Sequence, residues 1–298
     1  MHIAGVTMTY NDGYKIDEWK MHYNQYRSEL DYYVIVDNGS SVDYVSLIKE
    51  TFPGETLIER NSNGGCTAAY NDGIKYILEK TDADLIVILG NDIKTSENCI
   101  TEMAAFLYKH KDVGIVSTAI LHYDSNILDN FGHTVSYCGI IHECDHGKHL
   151  SNIKEKNKLT ELVTGGFYMA TREYYETVGL QDEALFMYSD EIDTAIRAKK
   201  AGFKISVLSN VYAWHWHINQ PGQGNRKPAS SYLISRNRVY VAKKHFGTFH
   251  SFIVFFTYTI IVPINLLCHG FKEKAKYAFL GGINGLKGNM DLNQYTEF

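Results

Sequence analysis

Three carboxylates, Asp190, Glu191 and Asp193, crowd into the stretch FMYSDEID at residues 186–193, far downstream of an isolated acid, Asp92, that closes an apolar run. A carboxylate able to hold a divalent cation and another able to take a proton from a hydroxyl are the two tools for displacing a diphosphate from carbon. Asp92 suits the first role and the Asp190-Glu191 pair the second, so the chain reads as an enzyme. The plainer reading is that Ser189 caps a helix whose first turn favours acids, with Asp193 pairing to Arg197 one turn on. Both can hold together.

These side chains must be positioned by the elements between them. Short apolar runs alternate with helical patterns: IAGVTMT, then Ile16, Trp19, Tyr23 and Tyr26 at helical spacing; YYVIVD, then VDYVSLIKE; TLIER, then Cys66 to Leu78; DLIVILG, then Asn98 to Leu107; and VGIVS. Nearly continuous apolar strands belong to a sheet covered on both faces, and the alternation makes that sheet mostly parallel. Ligands in such folds sit at the carboxyl ends of the strands, where polar residues cluster here: Thr9-Tyr10-Asn11-Asp12, Asp37-Asn38-Gly39-Ser40, Asn61 to Gly65, and Asn91-Asp92. Residues 122–160 read as an irregular strand-and-loop excursion. Beyond them come the strand ELVTGGFYMATR, a short helix ending near Gly179, a helix from the acidic junction to about Lys200, the strand KISVLSN leading into AWHWH, and a basic helix over 230–247.

At 298 residues and 45% hydrophobic, the chain can bury a sizeable core. Its net charge of −5 argues against a nucleic-acid partner. That average hides a division: residues 1–225 carry 19 Lys/Arg against 31 Asp/Glu, and residues 226–298 carry 10 against 3. The boundary near 226 therefore separates an acidic domain over 1–225 from a basic, apolar tail over 226–298. The tail holds the apolar run Phe252 to Cys268 followed by Lys272, Lys274 and Lys276, which suits an anionic membrane face. Pro263 and Asn265, in a run near the lower length limit for spanning, favour a helix lying in the interface. No secretion signal precedes the first strand, and five scattered cysteines (66, 99, 138, 144 and 268) fit a reducing cytosol. Cys138, His142, Cys144, His146 and His149 lie close in sequence but lack a paired zinc-ligand spacing, so no zinc site is expected there.

Five elements stand in an order that resembles the inverting family 2 glycosyltransferases, in the branch with bacterial rhamnosyltransferases: TYN at 9–11, VDNGS at 36–40, NSNGGCTAAYNDGI at 61–74, VILGND at 87–92, and TGGFYMATRE through FMYSDEIDTAIRAKKAGFKI to AWH. The resemblance covers residues 3 to about 245. It implies a Rossmann-like GT-A domain with a C-terminal helical, membrane-associating appendage. It also implies Mg²⁺ or Mn²⁺ as cofactor and a nucleoside-diphosphate sugar as donor, UDP- or dTDP-linked and including dTDP-rhamnose. The acceptor would be a hydroxyl of a glycan or lipid-linked glycan in a growing cell-surface polysaccharide, and the enzyme would sit in the cytoplasm on the inner face of the cell membrane.

A nucleoside needs partners for its base and ribose, and Thr9, Tyr10, Asn11, Asp37 and Asn38 at the first two strand ends offer them; by resemblance Asp37 reads the base. Asn63 and Gly64 are implied nucleotide contacts at a helix start, where free N–H groups suit an anion, with Asn71 and Asp72 supporting the loop. Asp92 is the implied metal ligand and Asn91 offers an amide beside it. Gly90 departs from the family, which usually places an acid or amide there. His215 completes the implied metal site, with His217 on the same strand face as the alternative. The family spelling Glu-Asp is exchanged here for Asp190-Glu191; by position Glu191 is the base, and Asp190 remains the other candidate. Arg236, Arg238, Lys243 and Lys244 on the basic helix are expected to meet acceptor or membrane phosphates. Two other classes fit less well: a nucleotidyltransferase, for which TYNDGYK is a poor phosphate loop, and a non-catalytic membrane-bound assembly partner.

Overall fold

The computed structural model describes residues 1–216 and 227–292. Its described residues form two compact units, one of residues 1–134, 143–183 and 194–216, the other of residues 135–142, 184–193 and 227–292. In chain order the elements are β1 (Ile3–Thr9), α1 (Ile16–Tyr26), β2 (Tyr32–Asp37), α2 (Val42–Thr51), β3 (Thr56–Glu59), α3 (Gly65–Lys80), β4 (Leu85–Leu89), β5 (Ile93–Thr95), α4 (Cys99–Lys109), β6 (Val113–His122), β7 (Leu128–Asn130), β8 (His133–Val135), β9 (Ile141–Glu143), β10 (Asn157–Leu159), β11 (Phe167–Thr171), α5 (Arg172–Val178), α6 (Asp190–Lys200), β12 (Lys204–His215), α7 (Pro228–His245), α8 (Thr248–Phe256), α9 (Val262–Cys268) and α10 (Lys272–Lys287). A π-helical turn, Thr257–Ile261, makes α8 and α9 one continuous helix.

The first unit is built on a sheet ordered β10-β12-β6-β11-β4-β1-β2-β3. The half from β4 to β3 is parallel, with Thr9 beside Asp37 at the carboxyl edge. Beyond it β11 runs antiparallel between β4 and β6, and β12 is parallel to β6, so the sheet is mixed. The apolar runs are buried as a doubly covered sheet requires: Ile86, Val87, Ile88 and Leu89 have no exposed surface, each contributing about 1.5–3 kcal/mol relative to exposure. Helix α3 approaches β1 closely through Gly73, where a Cβ would stand 2.5 Å from Val6 Cγ1.

In the second unit α7 begins with Pro228 in its first turn, where the missing N–H costs nothing. Its neighbour α10 presents a face of Ala275, Ala278, Gly281, Gly282 and Gly285. A Cβ on Gly281 would lie 2.2 Å from the Tyr232 carbonyl, and one on Gly285 2.3 Å from that of Arg236. The two helices are therefore packed backbone against backbone. Val239 and Ala242 of α7 form a second small core with Val254 and Tyr258.

Candidate active site

At the carboxyl edge of the parallel half, two asparagines organise the loop before α3. Asn38 Nδ2 donates to Asn63 Oδ1 at 2.9 Å and to the Gly65 carbonyl at 3.1 Å, while its Oδ1 accepts from Gly64 N at 3.1 Å. Asn63 Oδ1 also accepts from Gly65 N. The carboxylate of Asp37 is buried; its Oδ2 accepts from the N–H groups of Gly39 and Ser40, while Oδ1 has no hydrogen-bond partner among the described residues. Gly39 has φ +82°, and a Cβ there would strike the Ser62 backbone at 2.6 Å, so the turn that aims Asp37 admits only glycine. Asn11 joins the same edge: its N–H donates to Ser40 Oγ and its Oδ1 accepts from Ser41 N. Tyr10 is half-buried beside it. Thr9 is fully buried, its hydroxyl shared with Tyr44 and Asn91.

Asn71 anchors α3 to the segment after α5, bonding Gln181 through both its amide nitrogen and its oxygen, and Asp72 pairs with Arg60. Asn91 spends its amide nitrogen on Thr9 and Asp12.

Asp92 stands at the centre of a charged cluster. Its Oδ2 lies 3.6 Å from His215 Nε2 and 3.7 Å from Lys15 Nζ, and the Lys15 ammonium is also 3.8 Å from Asp12 Oδ1. Burial alone would push the pKa of Lys15 down, but Asp92 and Asp12 outweigh it and the ammonium stays charged above its ordinary range. The same contest at His215 ends the same way: burial, the largest single effect, opposes the imidazolium, but Asp92 and Asp129 together outweigh it, and the pKa is raised. A carboxylate oxygen and an imidazole nitrogen this close suit a Mg²⁺ or Mn²⁺ ion whose remaining ligands come from a diphosphate and water. Gly90 explains its own departure, since a Cβ there would meet Asp92 Oδ1 at 2.8 Å. Strand β12 carries through His215, and its backbone continues to Asp92, whose carbonyl accepts from Trp216 N. His217 lies outside the described residues. Trp214 is held by Ser125 through its ring nitrogen and by Lys94 over its face.

Lys15 was not among the expected site residues, and Asp12 entered only as part of the polar cluster at the end of β1. The signal was present in TYNDGYK, whose first residues point to nucleoside contacts and whose spacing makes a poor phosphate loop, but nothing in it marks one ammonium reaching the end of β4.

The acidic junction lies in the second unit. Phe186, Tyr188 and Ser189 all have φ between +63° and +69°, which is strained backbone for residues with side chains. Two buried residues of α7 hold it: Asn237 Nδ2 donates to the carbonyls of Leu185, Met187 and Tyr188, and Arg236 donates to those of Ala184, Leu185 and Met290. Arg236 is therefore not a phosphate ligand, because it is wholly buried and its donors are committed to carbonyls. Lys243 is likewise bonded to the Leu286 carbonyl and Lys244 to Asp193. Asp193 is fully buried between Lys244 Nζ at 2.8 Å and His245 Nε2 at 2.7 Å, which makes it an anchor of the helix start. Ser189 does not cap α6 with its hydroxyl, which has no hydrogen-bond partner among the described residues, because its backbone lacks the extended conformation of a capping serine.

Asp190 is buried and Glu191 half-buried. Burial, then the adjacent Glu191 charge, raises the Asp190 pKa well above the carboxylate range, with Arg238 opposing. A raised folded-state value means that folding favours the protonated acid: the stabilisation is complete below the unfolded pKa of about 3.9 and is lost as pH climbs through the folded value. Asp190→Asn removes the titration. The variant is expected to melt higher than the parent at pH 8, with the difference shrinking toward pH 4; equal melting temperatures across that range would refute the assignment.

The doubly covered sheet with its polar carboxyl edge is the GT-A glycosyltransferase fold. A structure of GalNAc-T7 with UDP, GalNAc and Mn²⁺ superimposes with a TM-score of 0.66 at 12% identity, over 99% of this chain and 58% of that one. The mannosyltransferase PcManGT from Pyrobaculum calidifontis, in complex with GDP-Man and Mn²⁺, gives 0.60 at 16% identity, over 96% of this chain and 87% of the other. The chain belongs to glycosyl transferase family 2, whose family model matches residues 22–179. Among characterised relatives, the low-salt glycan biosynthesis hexosyltransferase Agl10 of Haloferax volcanii is 24% identical over 86% of this chain and 82% of its own length. The dTDP-rhamnosyl transferase RfbF of Shigella flexneri is 23% identical over 98% of this chain and 99% of its own.

Proposed function

We propose that this glycosyltransferase moves a sugar from a UDP- or dTDP-linked donor, with dTDP-rhamnose the first candidate, to a hydroxyl of a lipid-linked cell-surface glycan. The observation that carries the reading is the Asp92–His215 pair at the end of the sheet whose other strand ends present Asp37. The full-length likeness to a dTDP-rhamnosyl transferase supports the donor class.

In this mechanism Asp37, Asn38, Asn63 and Gly64 hold the nucleoside, with Thr9, Tyr10, Asn11 and Asn91 shaping the edge. Glu191 takes the proton of the acceptor hydroxyl. The acceptor oxygen bonds to the anomeric carbon as the diphosphate leaves from the opposite side, with inversion. Asp92 and His215 would hold Mg²⁺ or Mn²⁺, whose charge would neutralise the departing diphosphate. Lys15 places a further fixed positive charge at the same point.

A panel of nucleoside-diphosphate sugars tests this. The true donor is expected to release free nucleoside diphosphate in Mn²⁺, to stop on chelation, and to fail with Asp92→Asn; at 100 times its Kd it also stabilises the fold by about 2.7 kcal/mol. Release of pyrophosphate would indicate a nucleotidyltransferase instead, and binding without turnover a non-catalytic partner.

The second unit supports attachment to a membrane surface. The run Thr248–Cys268 is long and apolar enough to cross a bilayer by length and composition. It leaves Phe249, Phe252, Phe256, Ile264 and Leu267 exposed while burying Val254, Tyr258 and Pro263 on the other side. With Lys272, Lys274 and Lys276 following, this one-sided face favours lying in an anionic interface. Replacing Phe252 and Phe256 by Ser is expected to lower partitioning onto vesicles containing phosphatidylglycerol by more than about tenfold, at about 1.5–3 kcal/mol per ring. Unchanged co-sedimentation would refute it.

A further inference from the structure

A second cluster in the first unit combines two imidazoles with a carboxylate. His122 ends β6, Asp129 lies in β7, and His146 sits at the tip of a turn between Asp145, with φ +60°, and Gly147, with φ +76°. One ligand atom from each of the three lies within 4.8 Å of those from the other two. His122 Nδ1 is 3.9 Å and His146 Nδ1 4.0 Å from Asp129 Oδ1, and the imidazole rings meet edge to face at 5.5 Å. Glu143 brings a second carboxylate, its Oε2 3.3 Å from His146 Nδ1.

The backbone holds these groups in place. His122 N donates to Ile127 O, Leu128 N to Lys148 O, Gly147 N to Leu128 O, Phe131 N to Cys144 O, and Cys144 N to Gly132 O. Two chain segments, 127–132 and 144–148, are thus laced together beside the end of β6, and the side chains on that ladder converge without needing a long loop to order.

We propose that His122, Asp129 and His146, with Glu143 or water as the fourth ligand, form a structural zinc site. Zinc bonds of about 2.0–2.1 Å in a tetrahedron put ligand atoms about 3.3 Å apart. The two histidine–aspartate separations close to that by a few tenths of an ångström on each side, and the imidazole–imidazole separation, within 4.8 Å, by at most about 0.8 Å on each side. Two neutral imidazoles beside carboxylate oxygen favour zinc over magnesium or manganese, which prefer an all-oxygen shell. His146 Nδ1 now donates to the Asp129 carbonyl at 2.7 Å. Zinc binding through Nδ1 takes the other neutral tautomer: the Nδ1 proton exchanges through solvent to Nε2, the hydrogen bond to the Asp129 carbonyl is given up, and the freed Nδ1 lone pair faces the ion. His122 is the Cα partner of His215 on the neighbouring strand, so the bound ion fixes the strand end that flanks Asp92.

The site shares no ligand with the Asp92–His215 pair. Full-length protein, stripped with chelator and titrated with Zn²⁺ against a colorimetric competitor, is expected to bind one ion with a dissociation constant below about 1 µM. That affinity should persist in Asp92→Asn and in millimolar Mg²⁺, and should fall on the order of 100-fold or more in His146→Ala, whose exposed turn position spares the fold. Co²⁺ in place of Zn²⁺ should give the strong visible absorption of tetrahedral cobalt in the parent and lose it in His146→Ala. Equal affinity in the parent and His146→Ala, loss of binding in Asp92→Asn alone, or no binding below 10-fold weaker than this bound would overturn the proposal.

Discussion

Glu191→Gln is expected to lower kcat by about 10²–10⁴-fold, the range ascribed to a general base, while leaving the donor dissociation constant within a few fold. The substitution keeps the length and shape of the side chain and removes only its ability to accept a proton. Glu191 is half-buried in the first turn of α6. Its neighbour Asp190 is buried and inclined to keep its proton, so the proposed mechanism gives the proton-accepting role to the less buried Glu191. Asp190→Asn should therefore cost less activity than Glu191→Gln. The comparison is made by steady-state kinetics with saturating donor. A Glu191→Gln enzyme within tenfold of the parent, or the reverse order between the two variants, would move the base to Asp190 or away from the junction.

Asn237→Ala is expected to destabilise the protein by about 3 kcal/mol, at about 1–3 kcal/mol for each buried carbonyl left without a donor and some recovery by water. One amide nitrogen serves Leu185, Met187 and Tyr188, and its loss also strips Arg236 Nε of its acceptor. The strained backbone at Phe186, Tyr188 and Ser189 then has less to oppose its relaxation. Because that backbone carries Asp190 and Glu191, kcat should fall further than the donor KM rises. Asn237→Asp, an acceptor facing three acceptors, should be no better than alanine. Urea unfolding reads the first effect and the kcat-against-KM split the second. A destabilised variant with unchanged kcat would limit Asn237 to a structural role.

The parallel half of the sheet was legible because strands covered on both faces must be nearly continuously apolar, and β1, β2 and β4 are, up to their polar carboxyl ends. The insertion of β11 between β4 and β6 was not, since an apolar strand looks the same in either direction. Polar strand ends marked Asp37, Asn38 and Asp92 as candidates for the same reason: nothing else in those runs could face water. Lys15 escaped because a lysine in a loop is ordinarily solvated, and only the fold brings it to the end of another strand. Arg236 misled for the opposite reason. Its neighbours Arg238, Lys243 and Lys244 made the helix look like a charged surface, whereas Asn237 beside it was the true sign of a buried polar face. The cluster of His122, Asp129 and His146 spans three chain segments whose pairing is irregular, so local ligand spacing could not show it, and the nearby Cys138, His142, Cys144, His146 and His149 gave no paired spacing to suggest a metal.

Helix α7 bears two loads at once. One face clamps the acidic junction through Arg236 and Asn237, and the other rests on Val254, Tyr258 and the glycine face of α10, while Met290 closes the contact to Arg236. Cutting the chain after His245 would remove the floor beneath the acidic turn along with the exposed aromatic face of α8 and α9. Recoding the exposed Phe249, Phe252 and Phe256 to polar residues in the intact polypeptide removes that apolar face while keeping the floor in place.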